Sequence, residues 1–224
     1  MNGKLYVVGT PIGNLKDITE RGKETLQSVD LILAEDTRVT GKLLNHLGIK
    51  KPMWRYDEYA KSDLYERILE FLGAGKEIAL VTDAGTPLIA DPGSKLIAFI
   101  RERTPEVKII PIPGPSAIVT ALSASGMNAD RFTFAGYPPH KKGRQTFFKT
   151  LKEIEMRPVA IYESPHRLQK TFNDMEKICG IGHPITVAKE LTKIHEEIWK
   201  GTLEEAKKHF QKEKGKGEFV IIIP

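Results

Sequence analysis

At 224 residues and 40% hydrophobic side chains, the chain has room for one large domain or two small ones, each with a real core. It contains no apolar run of about eighteen residues, which excludes a membrane-spanning helix. Its single cysteine, Cys179, excludes an internal disulfide and a cysteine-headed zinc cluster. The net charge of +5 is unevenly spread: residues 1–113 carry 16 Lys+Arg against 16 Asp+Glu, and residues 114–224 carry 18 against 13.

In chain order, Leu5–Val8 reads as a strand entering the turn GTPIGN, with no charged-then-apolar leader before it, which fits a cytoplasmic protein. Ile18–Val29 has helical spacing and leads into a strand at Asp30–Ala34, which runs into EDTR. Thr40–Leu47 is predicted as a short helix ended by Gly48, Pro52–Tyr56 as an edge strand, and Ser62–Leu72 as an amphipathic helix stopped by Gly73. Ile78–Val81 feeds TDAGTPLIADPG. There, Asp91-Pro92 reads as an N-cap and first-turn proline for a helix to about Glu102. Val107–Pro113 is a fifth strand.

The Pro/Gly-dense PIPGPSA divides the chain into an N-terminal doubly wound α/β domain, 1–113, and a C-terminal mixed α/β domain, 114–224. The second begins with a small-residue helix, Ala117–Ser125. Strands follow near Phe132–Ala135, Pro158–Tyr162, Ile185–Lys189 and Phe219–Ile223. Ser164-Pro165 starts a helix to about Ile178, and Thr202-x-x-Glu205 fits a capping box.

Six β-runs thus flow into polar, Gly- or Pro-containing clusters. In a parallel α/β sheet, carboxyl strand ends share one edge, and ligands bind there. The pattern points to an enzyme. GTPIGN sits where a nucleotide loop would, yet it lacks G-x-G-x-x-G and G-K-[ST]; a plain turn is the competing reading. In TDAGTP, Asp83 leaves a buried strand, Ala84 and Gly85 permit close backbone approach, and Pro87 stiffens the exit. EDTR offers Glu35 and Asp36 as proton acceptors and Arg38 as a phosphate anchor, or else a surface ion pair. YESPHR offers Tyr162, Glu163, His166 and Arg167; KELTKIHEE offers Lys189, Glu190 and His195. His195 has no second histidine at metal-ligand spacing, so no metal is expected. Ser116 lies outside any G-x-S-x-G, which argues against a hydrolase.

The segment 131–152 holds Arg131, Lys141, Lys142, Arg144, Lys149 and Lys152 with no carboxylate before Glu153, interleaved with Phe132, Phe134, Tyr137, Phe147 and Phe148. Cations beside aromatics suit phosphates and unstacked bases. The alternative is a solvated basic helix over core phenylalanines. A second basic stretch at 207–217 reads as a solvated helix end.

GTPIGNLKDIT, LAEDTR, VTDAGTPLIADPG, IPGPSA, YESPHR and KELTKIHEE, in this order, resemble the ribosomal RNA small-subunit methyltransferase I family of the tetrapyrrole-methylase-like (class III) methyltransferases. The resemblance covers essentially the whole chain. It implies S-adenosylmethionine as donor, transfer to the ribose 2′-oxygen of a cytidine in the 16S rRNA decoding region, two α/β domains with the cofactor in a cleft between them, and a homodimer. By motif, the donor is expected at Pro11, Ile12, Gly13, Asp83, Ala84, Gly85, Thr86, Pro87, Ser116 and Ala117, with Tyr162, Glu163, Ala188 and Lys189 on the second domain.

A ribose hydroxyl is a weak acid, and Glu35, Asp36, Lys189 or Glu190 is the expected base or charge-stabilising group. Arg38, His166 and Arg167 are expected on the substrate, and Lys141, Lys142 and Arg144 on an RNA-docking surface within the small ribosomal subunit. The competing functions are a same-fold methyltransferase acting on a small molecule such as a precorrin, and a non-catalytic RNA-binding assembly factor. The charge bias argues against the first, and the number of strand-end clusters argues against the second.

Overall fold

The computed structural model describes residues 3–57, 62–213 and 217–224. The chain divides into two compact units, Met1–Ser116 and Ala117–Pro224.

The first unit is one five-stranded sheet. Its strands are β1 (Lys4–Val8), β2 (Leu31–Ala34), β3 (Met53–Arg55), β4 (Glu77–Val81) and β5 (Lys108–Ile112), in the order β3-β2-β4-β1-β5, every pair parallel. The central strands are near-continuous apolar runs because both faces are covered. The alternation of β2 shows how. Leu31 and Leu33 face one core with Ile68 and Leu72 of helix α3 (Ser62–Gly73) and Leu96 and Ile100 of α4 (Ser94–Arg103). Ile32 and Ala34 face the other, with Leu26 of α1 (Glu20–Ser28) and Leu43 and Leu44 of α2 (Thr37–His46).

Two helix starts differ from the sequence expectation. Helix α2 begins at Thr37, not Thr40, because Asp36 caps it by accepting from the Arg38 N–H at 2.8 Å. Helix α4 begins at Ser94 rather than after Asp91: Gly93 occupies the cap position with φ 134° and no side-chain cap bond. Asp91 is therefore not an N-cap. Leu88 and Ala90 stand at φ 73° and 66°, and this left-handed pair keeps 88–93 from entering the helix.

The second unit carries β6 (Thr133–Phe134), β7 (Val159–Glu163), β8 (Pro184–Lys189), β9 (Glu197–Thr202) and β10 (Phe219–Ile223), ordered β6-β7-β10-β8-β9. Only β6–β7 is parallel. Strand β9 is additional to the four strands expected. Helices α6 (Arg144–Glu153), α7 (Pro165–Cys179) and α8 (Leu203–His209) bury Phe148, Phe172 and Leu203 in one core with Ile161, Val187 and Ile221. Helix α5 (Ala117–Ala124) lies against β10. The Thr202–Glu205 capping box forms as expected. Of the second basic stretch, residues 214–216 lie outside the described residues. None of the described helices is long and apolar enough to cross a membrane.

Candidate active site

The parallel sheet brings the carboxyl ends of β1, β2, β4 and β5 to one edge, and four motif loops of the first unit interlock there. Thr10 of GTPIGN and Gly85 of TDAGTP exchange two backbone hydrogen bonds, Thr10 N–H to Gly85 O at 2.9 Å and Gly85 N–H to Thr10 O at 3.1 Å. The Thr10 hydroxyl, buried, also donates to the Thr82 carbonyl at 3.1 Å. Gly9 packs on Gly114 of IPGPSA so closely that a Cβ on Gly9 would lie 2.8 Å from the Gly114 backbone. Gly85 stands at φ 87°, a conformation that glycine adopts without strain. A Cβ there would come to 3.4 Å from Ile12 Cγ2 and 3.7 Å from the Pro115 carbonyl, so three motifs meet around one missing side chain.

EDTR joins the same edge through charge. Glu35 Oε2 accepts from the Thr82 hydroxyl at 2.6 Å and from the Asp83 N–H at 3.4 Å, and Asp83 Oδ1 accepts from the Asp36 N–H at 3.1 Å. Asp36 is held by Arg38, whose Nη2 lies 2.5 Å from Oδ2; these hydrogen bonds hold the Asp36 carboxyl well below the usual range. Asp83 moves the other way, raised by partial burial and by the Glu35 charge. Burial and the same charge push Asp91 up to about 6, against a lesser lowering by the Thr82 hydroxyl. These carboxylates line a cavity of ≈540 Å³ shared with Arg55, Tyr56, Tyr65 and Lys95.

The structure thus brings together Pro11, Ile12, Gly85, Thr86 and Pro87 with Glu35, Asp36, Arg38 and Asp83. Gly85 does not offer its backbone polar groups outward, since Thr10 takes both. Asp83, Ala84 and Gly13 are exposed, whereas Pro11 and Pro87 are buried; Ser116 and Ala117 are half-buried. Arg38 is exposed and paired with Asp36.

In the second unit, β7 and β8 both flank β10, and Phe219 is in register with Glu163 on one side and Lys189 on the other. YESPHR and KELTK therefore also meet at one sheet edge. Tyr162 sits half-buried with its ring 4.9 Å from Phe134 and 5.2 Å from Tyr137. Ala188 is buried inside β8, and His166 is exposed in the first turn of α7. Lys189 pairs with Glu213. Glu190, at φ 50°, accepts from Lys193 Nζ at 2.8 Å and the Glu218 N–H at 2.9 Å.

Two expectations in this unit need correction. Arg144 is not a docking cation. Its residue is 3% exposed; its guanidinium donates to Asp174 at 2.8 Å, to the Thr171 hydroxyl at 2.7 Å and to the Pro139 carbonyl at 3.1 Å, and it stacks on Phe148. The Glu163 carboxylate is likewise turned inward, accepting from the Ser164 N–H at 2.8 Å and from Thr171, with Arg167 Nε at 3.2 Å. Arg167 also donates to the Pro138 carbonyl. Lys141 and Lys142 are exposed. Sequence reading missed Asp91, Arg55, Tyr56, Tyr65 and Lys95 as cavity residues and Thr82 as the partner of Glu35; the DPG turn after TDAGTP was the one local signal for Asp91.

Residues 4–207 match the family of Tetrapyrrole (Corrin/Porphyrin) Methylases. The chain is 47% identical over 222 residues to a ribosomal RNA small subunit methyltransferase I of Synechocystis sp., covering 99% of this chain and 78% of that protein. It is 44% identical to the one of Thermotoga maritima, covering 99% and 98%. Solved structures share the fold at much lower identity. Uroporphyrin-III-C-methyltransferase from Thermus thermophilus gives a TM-score of 0.68 at 16% identity over 98% of this chain and 94% of that one. The cobalt precorrin-4 methyltransferase CbiF gives 0.71 at 17% identity, over 97% and 94%. A Thermus thermophilus uroporphyrin-III C-methyltransferase complexed with S-adenosyl homocysteine gives 0.66 at 14%, over 98% and 97%. The same architecture therefore serves different substrates, and on near-full-length identity the chain belongs to the ribosomal RNA small subunit methyltransferase I family within the tetrapyrrole methylases.

Proposed function

We propose that this protein methylates the ribose 2′-oxygen of a cytidine in the decoding region of 16S rRNA, with S-adenosylmethionine as donor. The observation that carries the reading is the contrast in identity: 44–47% to relatives named for ribosomal RNA, against 14–17% to those named for tetrapyrroles. The protein works in the bacterial cytoplasm as a homodimer, on RNA within the small ribosomal subunit.

When bound, the donor supplies a methyl group on a positively charged sulfur. The cradle at Gly85, bounded by Ile12 and Pro115, suits such a ligand, because a side chain there would fill it. Pro11, Ile12, Gly13, the segment Asp83–Pro87, Ser116 and Ala117 hold the donor. Interlocked loops fix the alignment in advance, which is the largest task in a displacement reaction.

Of the four groups considered for the ribose proton, Glu35 fits best. Asp36 is strongly acidified by Arg38 and caps a helix, while Lys189 and Glu190 are held in ion pairs. Glu35 is positioned by Thr82 and lines the cavity. General-base assistance is worth roughly 10²–10⁴-fold. His166 and Arg167 meet adjacent phosphates, and Arg38 does so from the first unit; Lys141 and Lys142 dock the RNA.

Calorimetry with S-adenosylmethionine, followed by labelled methyl transfer into unmethylated small subunits and into tetrapyrroles, tests the reading. Donor binding with incorporation at a cytidine ribose is expected. Incorporation into tetrapyrroles alone sinks the RNA assignment, and no donor binding sinks the enzyme. Glu35→Gln should lower turnover by roughly 10²–10⁴-fold while leaving donor affinity within about twofold.

A further inference from the structure

We propose that the cavity of ≈540 Å³ at the carboxyl ends of β2 and β4 receives the nucleotide to be methylated, and that Asp91 reads the exocyclic amine of its cytosine. The proposal rests on the ribose-methylation reading above and names where the base goes. A rRNA nucleotide must be splayed out of its helix to reach an enzyme's reactive centre. It then needs a recess of its own. The volume lies within the range of about 300–1,000 Å³ usual for small-ligand pockets.

The lining joins three chemistries that a nucleotide satisfies together. Half-buried Tyr65 supplies the aromatic surface, held edge to face at 6.0 Å by the core residue Tyr56, with the two hydroxyls 3.1 Å apart. Aromatic faces stack on unpaired bases. Lys95 supplies a cation, Arg55 a second one that is paired with the lining carboxylate Asp57 at 3.0 Å, and α4 opens into the same cavity at Gly93 with no side chain capping it. Those N–H groups and cations suit a phosphate. Glu35, Asp83 and Asp91 supply acceptors for an amine.

Asp91 is the carboxyl in most need of a donor. Thr82 has one hydroxyl proton, which its 2.6 Å bond to Glu35 engages, so Asp91 has at most a shared donor there. Burial beside Glu35 and Asp83 makes its charge costly, which an incoming N–H relieves. Cytosine offers that N–H from N4, whereas uracil places an oxygen there that a carboxylate repels. Asp83 belongs both to this cavity and to a loop assigned to the donor, and Glu35 accepts from its N–H at 3.4 Å, so a base seated here has its ribose beside them.

The test uses small subunits carrying cytidine or uridine at the target position, methylated by the wild-type protein, Asp91→Asn and Asp91→Ala, with donor affinity measured on each by calorimetry. Asn can turn its amide to serve either base, and Ala serves neither. Both variants should bind the donor within about twofold of wild type. The cytidine-to-uridine ratio of kcat/KM should fall by roughly tenfold or more. An unchanged ratio in both variants, with the wild type active on cytidine, overturns the cavity assignment and leaves ribose methylation standing. A wild-type protein that binds donor but methylates neither RNA overturns the ribose reading and this proposal with it.

Discussion

A guanidinium whose side chain is only 4% exposed cannot meet a phosphate, and Arg144 illustrates what a basic run in sequence conceals. Its charge is balanced by Asp174, thirty residues on and equally buried, with Thr171 between this pair and Glu163. Removing one partner of a buried pair strands the other charge. Arg144→Met should therefore destabilise the protein by about 3–5 kcal/mol in urea unfolding, and adding Asp174→Leu should restore much of the loss. A neutral Arg144→Met would return the residue to the surface role first expected of it. Asp91 gives the opposite case. Its carboxyl titrates near 6 in the folded protein against 3.8 for the ordinary group, so the folded state holds the proton more tightly. Above about pH 6 the ionised form carries the full penalty; as pH falls toward 3.8 the penalty disappears. Asp91→Asn should thus raise stability at pH 8 by about 1 kcal/mol after allowance for solvent screening, and by nothing near pH 4. Thermal melts at the two pH values check the sign.

At the scale of elements, the doubly wound first sheet was legible because its strands are apolar on both faces and its helices carry stops such as Gly48 and Gly73. What escaped was set by partners distant in sequence. Strand β9, EIWKGT, mixes charges with Ile198 and Trp199 and sits at a sheet edge, where pairing with β8 rather than its own pattern makes it a strand. The start of α4 was misread because Asp-Pro has the chemistry of a helix cap, while two left-handed residues just before it direct the chain elsewhere. The site followed the same division. Which loops carry it was visible as strand-end clusters; that Gly9 and Gly114 clamp two of them was not, because neither glycine has positive φ to mark it. A Cβ on Gly114 would lie 2.8 Å from the Gly9 carbonyl group, so backbone must shift. Gly114→Ala should cost about 1–3 kcal/mol and weaken donor binding measurably in calorimetry. The control Gly73→Ala, with nothing within 4 Å of the added methyl, should be neutral or stabilising by up to about 1 kcal/mol. Equal donor affinity in the two variants would separate the clamp from the donor site.

Over the whole molecule, charge divides as the sequence does: the first unit is balanced near the acidic cavity, and the cationic excess lies beyond residue 113. With Arg144 withdrawn into the core, the exposed cations of segment 131–152 are Arg131, Lys141, Lys142, Lys149 and Lys152, and Lys141 and Lys142 stand in the loop just before α6. Each phosphate contact releases counterions, so the dependence of affinity on salt counts contacts. Lys141→Ala with Lys142→Ala should weaken RNA binding and make the slope of log affinity against log salt shallower by about 1–2, since each lost contact removes somewhat less than one unit. Donor affinity should not move, because neither lysine belongs to the interlocked loops. The ratio of methylation of cytidine over uridine should also hold, since phosphate contacts position the RNA without reading bases. An unaltered slope would take this loop off the RNA. A collapse of base discrimination in the double-lysine variant would mean that docking and base reading are one event.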